Sequence, residues 1–348
     1  MTFKENDYSN RTVYGIESDA LRYTWAGYLI FVLASSLIGD TTILIASIKY
    51  RAFKLHKVMI LIIQHIAVCD LMVSLTDVLP KLVSIMAGNW VFGKFLCNAT
   101  PYLRYYFNLA SLLLICNMTT SKMLLLKYPL RFGSITSRKA RIFPLACWLV
   151  AGVFPLIFLV LDWNDVSFSY RGYQCNYGYS SDIYHWLKPI LAILFIFIPN
   201  CLVVATTISV LIIAKQAVRR SRGSLKMQGI VTTVLTAMFY CLSVLPLVVY
   251  RVGESFIDKT SSSVFHIQFY RVTISCIFIN TISNFYIYSL TVSSFREFIL
   301  TGIKQSTLLF NNPGFSIGEK TVNSSNCKLV FCLISIISTY QIVLTAAN

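Results

Sequence analysis

The polarity of this chain changes in long blocks. Seven apolar stretches precede residue 300, at 24–48, 58–87, 97–126, 142–161, 184–214, 228–252 and 264–290, each closed by a short polar segment. A bilayer core about 30 Å thick is crossed by roughly 20 helical residues. Backbone groups find no water there, so each segment must pair its own N–H and C=O groups, and the helix does this. The pattern predicts an all-α fold: a seven-transmembrane helix bundle over residues 24–290, after a polar N-terminal segment at 1–23. Residues 311–326 are polar, and 329–347 are apolar enough for an eighth span. The alternatives there are a tail, 305–348, with its apolar end on the membrane, or an irregular chain end.

Composition removes the soluble alternative, since 56% hydrophobic and 13% charged residues with a mean hydropathy of +0.66 do not suit a water-facing surface. Charge then orients the bundle. Segments 49–57, 127–141 and 215–226 hold fourteen Lys and Arg and no acid, which keeps them cytoplasmic. The alternate loops carry Asp162, Asp165, Asp182, Glu254 and Asp258 and lie outside. The net charge of +16 is thus largely a property of the inner surface, where it also attracts anionic lipid, and not a nucleic-acid footprint.

Residues 1–23 lack the apolar core of a cleavable signal, so the first span is expected to direct insertion with the N-terminus extracellular. The sequons at Asn10 and Asn98 fall outside in this topology and are candidate glycosylation sites. Ten cysteines are spread along the chain, most within spans, where a thiol serves as a small hydrophobe. Cys97 opens the third span and Cys175 lies in the longest outer loop, so both meet the oxidising compartment and are expected to form one disulfide. Two free thiols are the alternative.

Residues in order along the spans carry a family resemblance. The second span has Ile66-Ala67-Val68-Cys69-Asp70; Trp90 precedes Cys97; Pro129-Leu130 follows the third span. Trp148, Pro199 and Pro246 mark the fourth, fifth and sixth, and Asn284-Phe285-Tyr286-Ile287-Tyr288 ends the seventh. In this combination the chain resembles the rhodopsin-like (class A) G-protein-coupled receptors from about Gly39 to Arg296. The resemblance implies a cell-surface receptor, not an enzyme, that transduces an extracellular ligand signal to a heterotrimeric G protein from the plasma membrane. It also implies that Phe295-Arg296 opens a short amphipathic helix on the inner membrane surface, 291–304.

The departures are as specific. Ser121-Lys122-Met123 stands for the family's Asp-Arg-Tyr, Ser243-Val244-Leu245-Pro246 for its Cys-Trp-x-Pro, Thr207 for a Tyr, Asp40 for an Asn and Phe285 for a Pro. They leave an alternative function open, a receptor-like decoy or scaffold with weak or no G-protein coupling. Other classes fit less well. The seventh span has Arg271 and no Lys for a retinal Schiff base, no repeated halves suggest a transporter, and four His without metal-ligand spacing or nucleophile elbow argue against an enzyme.

Three clusters follow from these positions. Arg104 lies seven residues, about two turns, inward from Cys97, where the resemblance places a ligand-facing residue. An arginine at that depth is costly unless paired or wet. Either it pairs with Asp77 of the second span, or Arg104 and Lys81 attract an acidic ligand group. At the inner end the resemblance makes Lys122 the counterpart of an arginine held at rest by acids beside it and on the sixth span, where Ser121 and Lys226 offer no carboxylate. A looser gate is expected there, with Pro129 and Tyr288 completing the coupling surface. At mid-membrane, Asp70, Ser111, Asn280 and Asn284 match positions that surround a sodium ion in the family, and Asp40 adds a second carboxylate. No other cofactor is implied. Two carboxylates in one poorly solvated site do not both ionise cheaply, so a cation bridges them or one holds a proton. A polar core satisfied by itself and by water is the plainer alternative.

Overall fold

In the computed structural model the described residues are 19–48, 57–133, 137–162, 166–177, 190, 193–220, 227–254 and 264–311. The spans are helices α1 (Asp19–Ile48), α2 (Lys57–Ala87), α3 (Gly93–Lys127), α4 (Ser137–Asp162), α5 (Ile198–Arg220), α6 (Met227–Glu254) and α7 (Val264–Thr291). Helix α8 (Ser293–Asn311) follows at once and runs past the expected end at 304. A short helical turn, Pro129–Gly133, follows α3, and the hairpin of β1 (Val166–Ser169) and β2 (Gln174–Tyr177) links α4 towards α5. Asn10, Lys226 and the tail from 312 lie outside the described residues, as do 184–189 and 191–192 of the fifth expected span.

Among the described residues six of the seven spans are long and apolar enough to cross a bilayer by length and composition. The exception is α7, because its interior face is spent on polar groups: Arg271, Thr273, Asn280, Thr281, Ser283 and Asn284 are all buried. A span can carry such residues where they face the bundle and not the lipid. The outward faces of α4 and α5 are the reverse, with Leu149, Val160, Leu202 and Ile208 exposed. Apolar exposure on that scale suits a lipid surrounding.

Neighbours pack side by side, α1 on α2 and α7, α7 on α6, α6 on α5 and α4 on α2, with α3 against α2, α4, α5 and α6. Helix α3 is 35 residues long, about 50 Å, and so reaches from the hairpin to the basic end. Two helices widen locally. The turns Ser74–Val78 in α2 and Ile193–Phe197 before α5 have i→i+5 spacing. Each contains the residue four before a proline, Thr76 before Pro80 and Phe195 before Pro199. Proline lacks the N–H for that carbonyl and its ring clashes with it, so a wider turn relieves both faults. Asp77 within the first turn and Lys81 just past it are both buried.

Candidate functional site: three polar clusters along the bundle

At the end of the bundle that carries the hairpin, a disulfide joins Cys97, in the first turns of α3, to Cys175 in β2, with Cα atoms 5.4 Å apart. Strand pairing sets Phe168 opposite Cys175 and Val166 opposite Tyr177. Two turns deeper, Arg104 donates from Nε to Asp77 Oδ1 at 2.8 Å, from Nη1 to Asn176 Oδ1 at 3.0 Å and from Nη2 to the Cys175 carbonyl at 3.1 Å. Asp77 Oδ2 accepts from Lys81 Nζ at 2.6 Å, and the ammonium lies 4.9 Å from the Phe278 ring centroid. The structure thus pairs Arg104 with Asp77 and adds Lys81 to the same carboxylate. The side chains of Lys81, Asp77 and Arg104 are 2%, 3% and 12% exposed, so two cations share one buried acid.

The hairpin also grips α7. Arg271 donates from Nε to the Arg171 carbonyl at 3.1 Å and from Nη2 to the Tyr170 carbonyl at 3.3 Å, with its guanidinium over the rings of Trp25 and Tyr173. Gln174 Nε2 donates to Tyr270 Oη at 3.0 Å, and the Arg171 guanidinium lies over the Tyr250 and Tyr270 rings. At the turn, Tyr173 has φ +48° and is fully buried. Side chains rarely adopt that left-handed backbone, and burial of the ring against Trp25, Phe168 and Tyr170 holds it there. Arg271 is legible in sequence as a charge within a span, but its partners are loop carbonyls that no side-chain pattern announces.

At mid-membrane Asp40 and Asp70 are joined through Ser36, whose Oγ lies 2.6 Å from Asp40 Oδ2 and 3.5 Å from the Asp70 carbonyl. Asn284 Nδ2 donates to Asp70 Oδ2 at 2.7 Å, fastening α7 to α2. Asp40 Oδ1, Ser111 Oγ, Asn280 Oδ1 and Asn284 Oδ1 are buried with no hydrogen-bond partner among the described residues. Hard cations take carboxylate, amide and hydroxyl oxygens of this kind, so the donor set fits a sodium ion. Among the described residues no group of three or more His, Cys, Asp or Glu is placed so as to hold a metal ion. Ser36 was not singled out in the sequence, since a serine in an apolar helix gives no signal of its own.

At the basic end Lys122 is 8% exposed and makes no ion pair among the described residues. Beside it Ser121 Oγ donates to Asn117 Oδ1 at 3.1 Å. Tyr288 is buried, Thr232 and Thr291 hydroxyls join α6 to α7 at 2.8 Å, and Thr119 and Thr206 join α3 to α5 at the same distance. Pro129 opens the short helical turn beside a shallow cleft lined by Leu124, Tyr128, Arg131 and Phe132. A further tie missed in sequence is Trp148 Nε1 donating to His65 Nδ1 at 3.1 Å between α4 and α2. One expectation is corrected: Asn98 is only 3% exposed, inside α3 beside the disulfide, which leaves no room for a glycan.

The family described as 7 transmembrane receptor (rhodopsin family) matches residues 39–288. Among curated proteins, this chain is 25% identical over 182 residues to a high-affinity lysophosphatidic acid receptor of Xenopus laevis, covering 51% of this chain and 48% of that one. Over 151 residues it is 28% identical to a D(1A) dopamine receptor of Didelphis virginiana, covering 43% of this chain and 33% of that one. Over 147 residues it is 22% identical to an octopamine receptor beta-1R of Drosophila melanogaster, covering 42% of this chain and 28% of that one. The chain therefore spans less than half the length of these relatives.

Proposed function

Because the chain belongs to the rhodopsin family of seven-transmembrane receptors, we propose that it carries an extracellular ligand signal to a heterotrimeric G protein. Members of this family are receptors and not enzymes, and the chain is a multi-pass membrane protein. In this reading the N-terminus and the hairpin face outward at the plasma membrane, and the basic loops meet the G protein and anionic lipid. The observation that carries it is the hairpin's direct bonding to buried cations of two helices, Arg104 of α3 and Arg271 of α7. A ligand that moves the hairpin acts on helices that reach the opposite end of the bundle. It shifts their equilibrium by its differential affinity for the two arrangements.

The dopamine and octopamine receptors are named for amines, and an ammonium ligand calls for a free carboxylate. Both oxygens of Asp77 are already committed to cations, which argues against an amine at this depth. At mid-membrane, Asp70 with Ser111, Asn280, Asn284 and Asp40 would hold a sodium ion, which when bound supplies a counter-charge for the carboxylates. With the ion in place, those side chains would tie α1, α2, α3 and α7 in the resting arrangement. At the inner end Lys122 and Lys226, with Pro129 and Tyr288, form the coupling surface.

A second reading, a receptor-like scaffold with weak coupling, is favoured by one observation, the buried Lys122 with no ion pair among the described residues. A screen of peptides, amines and acidic metabolites against second-messenger readouts in cells separates the two. A ligand that raises or lowers a messenger supports transduction; surface-expressed receptor that binds a ligand without any response supports the scaffold.

A further inference from the structure

We propose that Lys81 is the contact for a negatively charged ligand group, a carboxylate or a phosphate monoester, at the buried cluster Lys81–Asp77–Arg104. The inference rests on the receptor reading for its ligand but on charge and hydrogen bonding for its chemistry. Asp77 cancels one positive charge and has no oxygen left for a second, since Oδ1 faces Arg104 and Oδ2 faces Lys81. The excess unit charge sits in a place nearly closed to water. A buried cation without a matching anion is expensive, and an arriving anion removes that cost.

The hydrogen bonds assign the excess to one of the two cations. Arg104 is bound on Nε, Nη1 and Nη2 by a carboxylate, a side-chain amide oxygen and a carbonyl, two of them in the disulfide-anchored hairpin. Lys81 has three N–H donors and, among the described residues, a single acceptor, Asp77 Oδ2, with the Phe278 ring also against its ammonium. Ser84, three residues on and on the same face of α2, is fully buried, and its hydroxyl has no partner among the described residues. An ammonium with donors to spare and a buried hydroxyl beside it form a subsite for an acceptor that carries charge. A neutral acceptor would satisfy the donors and leave the charge.

Purified receptor in nanodiscs of zwitterionic lipid, without G protein, tests this separately from coupling. The probes are hexanoate and octyl phosphate at equal ionic strength, with octanol as the neutral control, read as thermal melting of wild type, Lys81→Met and Lys81→Arg. At least one anion is expected to raise the wild-type Tm by several degrees, and which of them does so identifies the headgroup class. Octanol is expected to do nothing, Lys81→Arg to keep the shift and Lys81→Met to lose it. Ligand-free Lys81→Met is expected to melt no lower than wild type, because the one-to-one Arg104–Asp77 pair remains. The proposal is overturned if Lys81→Met melts lower and responds equally, as for a structural ion, if octanol acts like the anions, or if neither anion shifts the wild type.

Discussion

Gly39 and Phe285 are fitted to each other: a β-carbon at residue 39 would lie 2.7 Å from Phe285 Cβ and 2.9 Å from Cγ. Contacts so short do not occur between real side-chain carbons, and Cβ and Cγ, the atoms nearest the Phe285 backbone, have little freedom to yield. The Phe that replaces the family's Pro therefore depends on the Gly of the facing helix. Gly39→Ala should force α1 from α7 and cost about 1–3 kcal/mol, as overpacking does, lowering Tm in detergent. Phe285→Ala in the same chain should recover much of that loss. Additive effects of the two substitutions would contradict the fit.

Tyr173 tests whether the hairpin turn is held against its own backbone preference. Both Tyr173→Ala and Tyr173→Gly remove the buried ring, and only glycine accepts φ +48° without cost. Strain at a non-glycine left-handed residue is worth about 1–2 kcal/mol, so the glycine variant should melt higher than the alanine variant although it is smaller. Equal melting, or alanine above glycine, would show that the turn is not strained.

Much of the architecture was legible because lipid imposes a strict rule on length and polarity. Block hydropathy points to a bundle of helices, and the second span supplies Asp77 as a partner for Arg104 with Lys81 one turn away. The Cys97–Cys175 link followed from compartment alone. What escaped was set by backbone atoms or by packing between distant segments. The carbonyls of Tyr170, Arg171 and Cys175 that hold two arginines belong to no side-chain pattern. The wide turns ahead of Pro80 and Pro199 are one of several ways a helix meets a proline. Asn98 sits at the very edge of the expected span, which opens at Cys97, whereas α3 begins a turn earlier, at Gly93, and draws the residue into the helix.

The mid-membrane cluster should respond to sodium. At constant ionic strength, wild type is expected to melt higher in sodium chloride than in N-methylglucamine chloride, and Asp70→Asn to lose the difference. The unpartnered oxygens of Ser111, Asn280, Asn284 and Asp40 supply the reason. The same Tm in both salts, or an equal gain in Asp70→Asn, would leave Asp70 as the hydrogen-bonded anchor of Asn284 alone.

Catalysis of GDP–GTP exchange by purified receptor in nanodiscs, measured across the main classes of heterotrimeric G protein, tests the central claim most directly. Wild type should accelerate exchange on at least one class, if only modestly, since the buried Lys122 has no ion pair among the described residues to hold it at rest. Lys122→Arg, which restores the family's forked cation, should raise that rate several-fold. Folded receptor that leaves every class at its unassisted rate, with Lys122→Arg no better, would contradict transduction and leave the scaffold reading in its place.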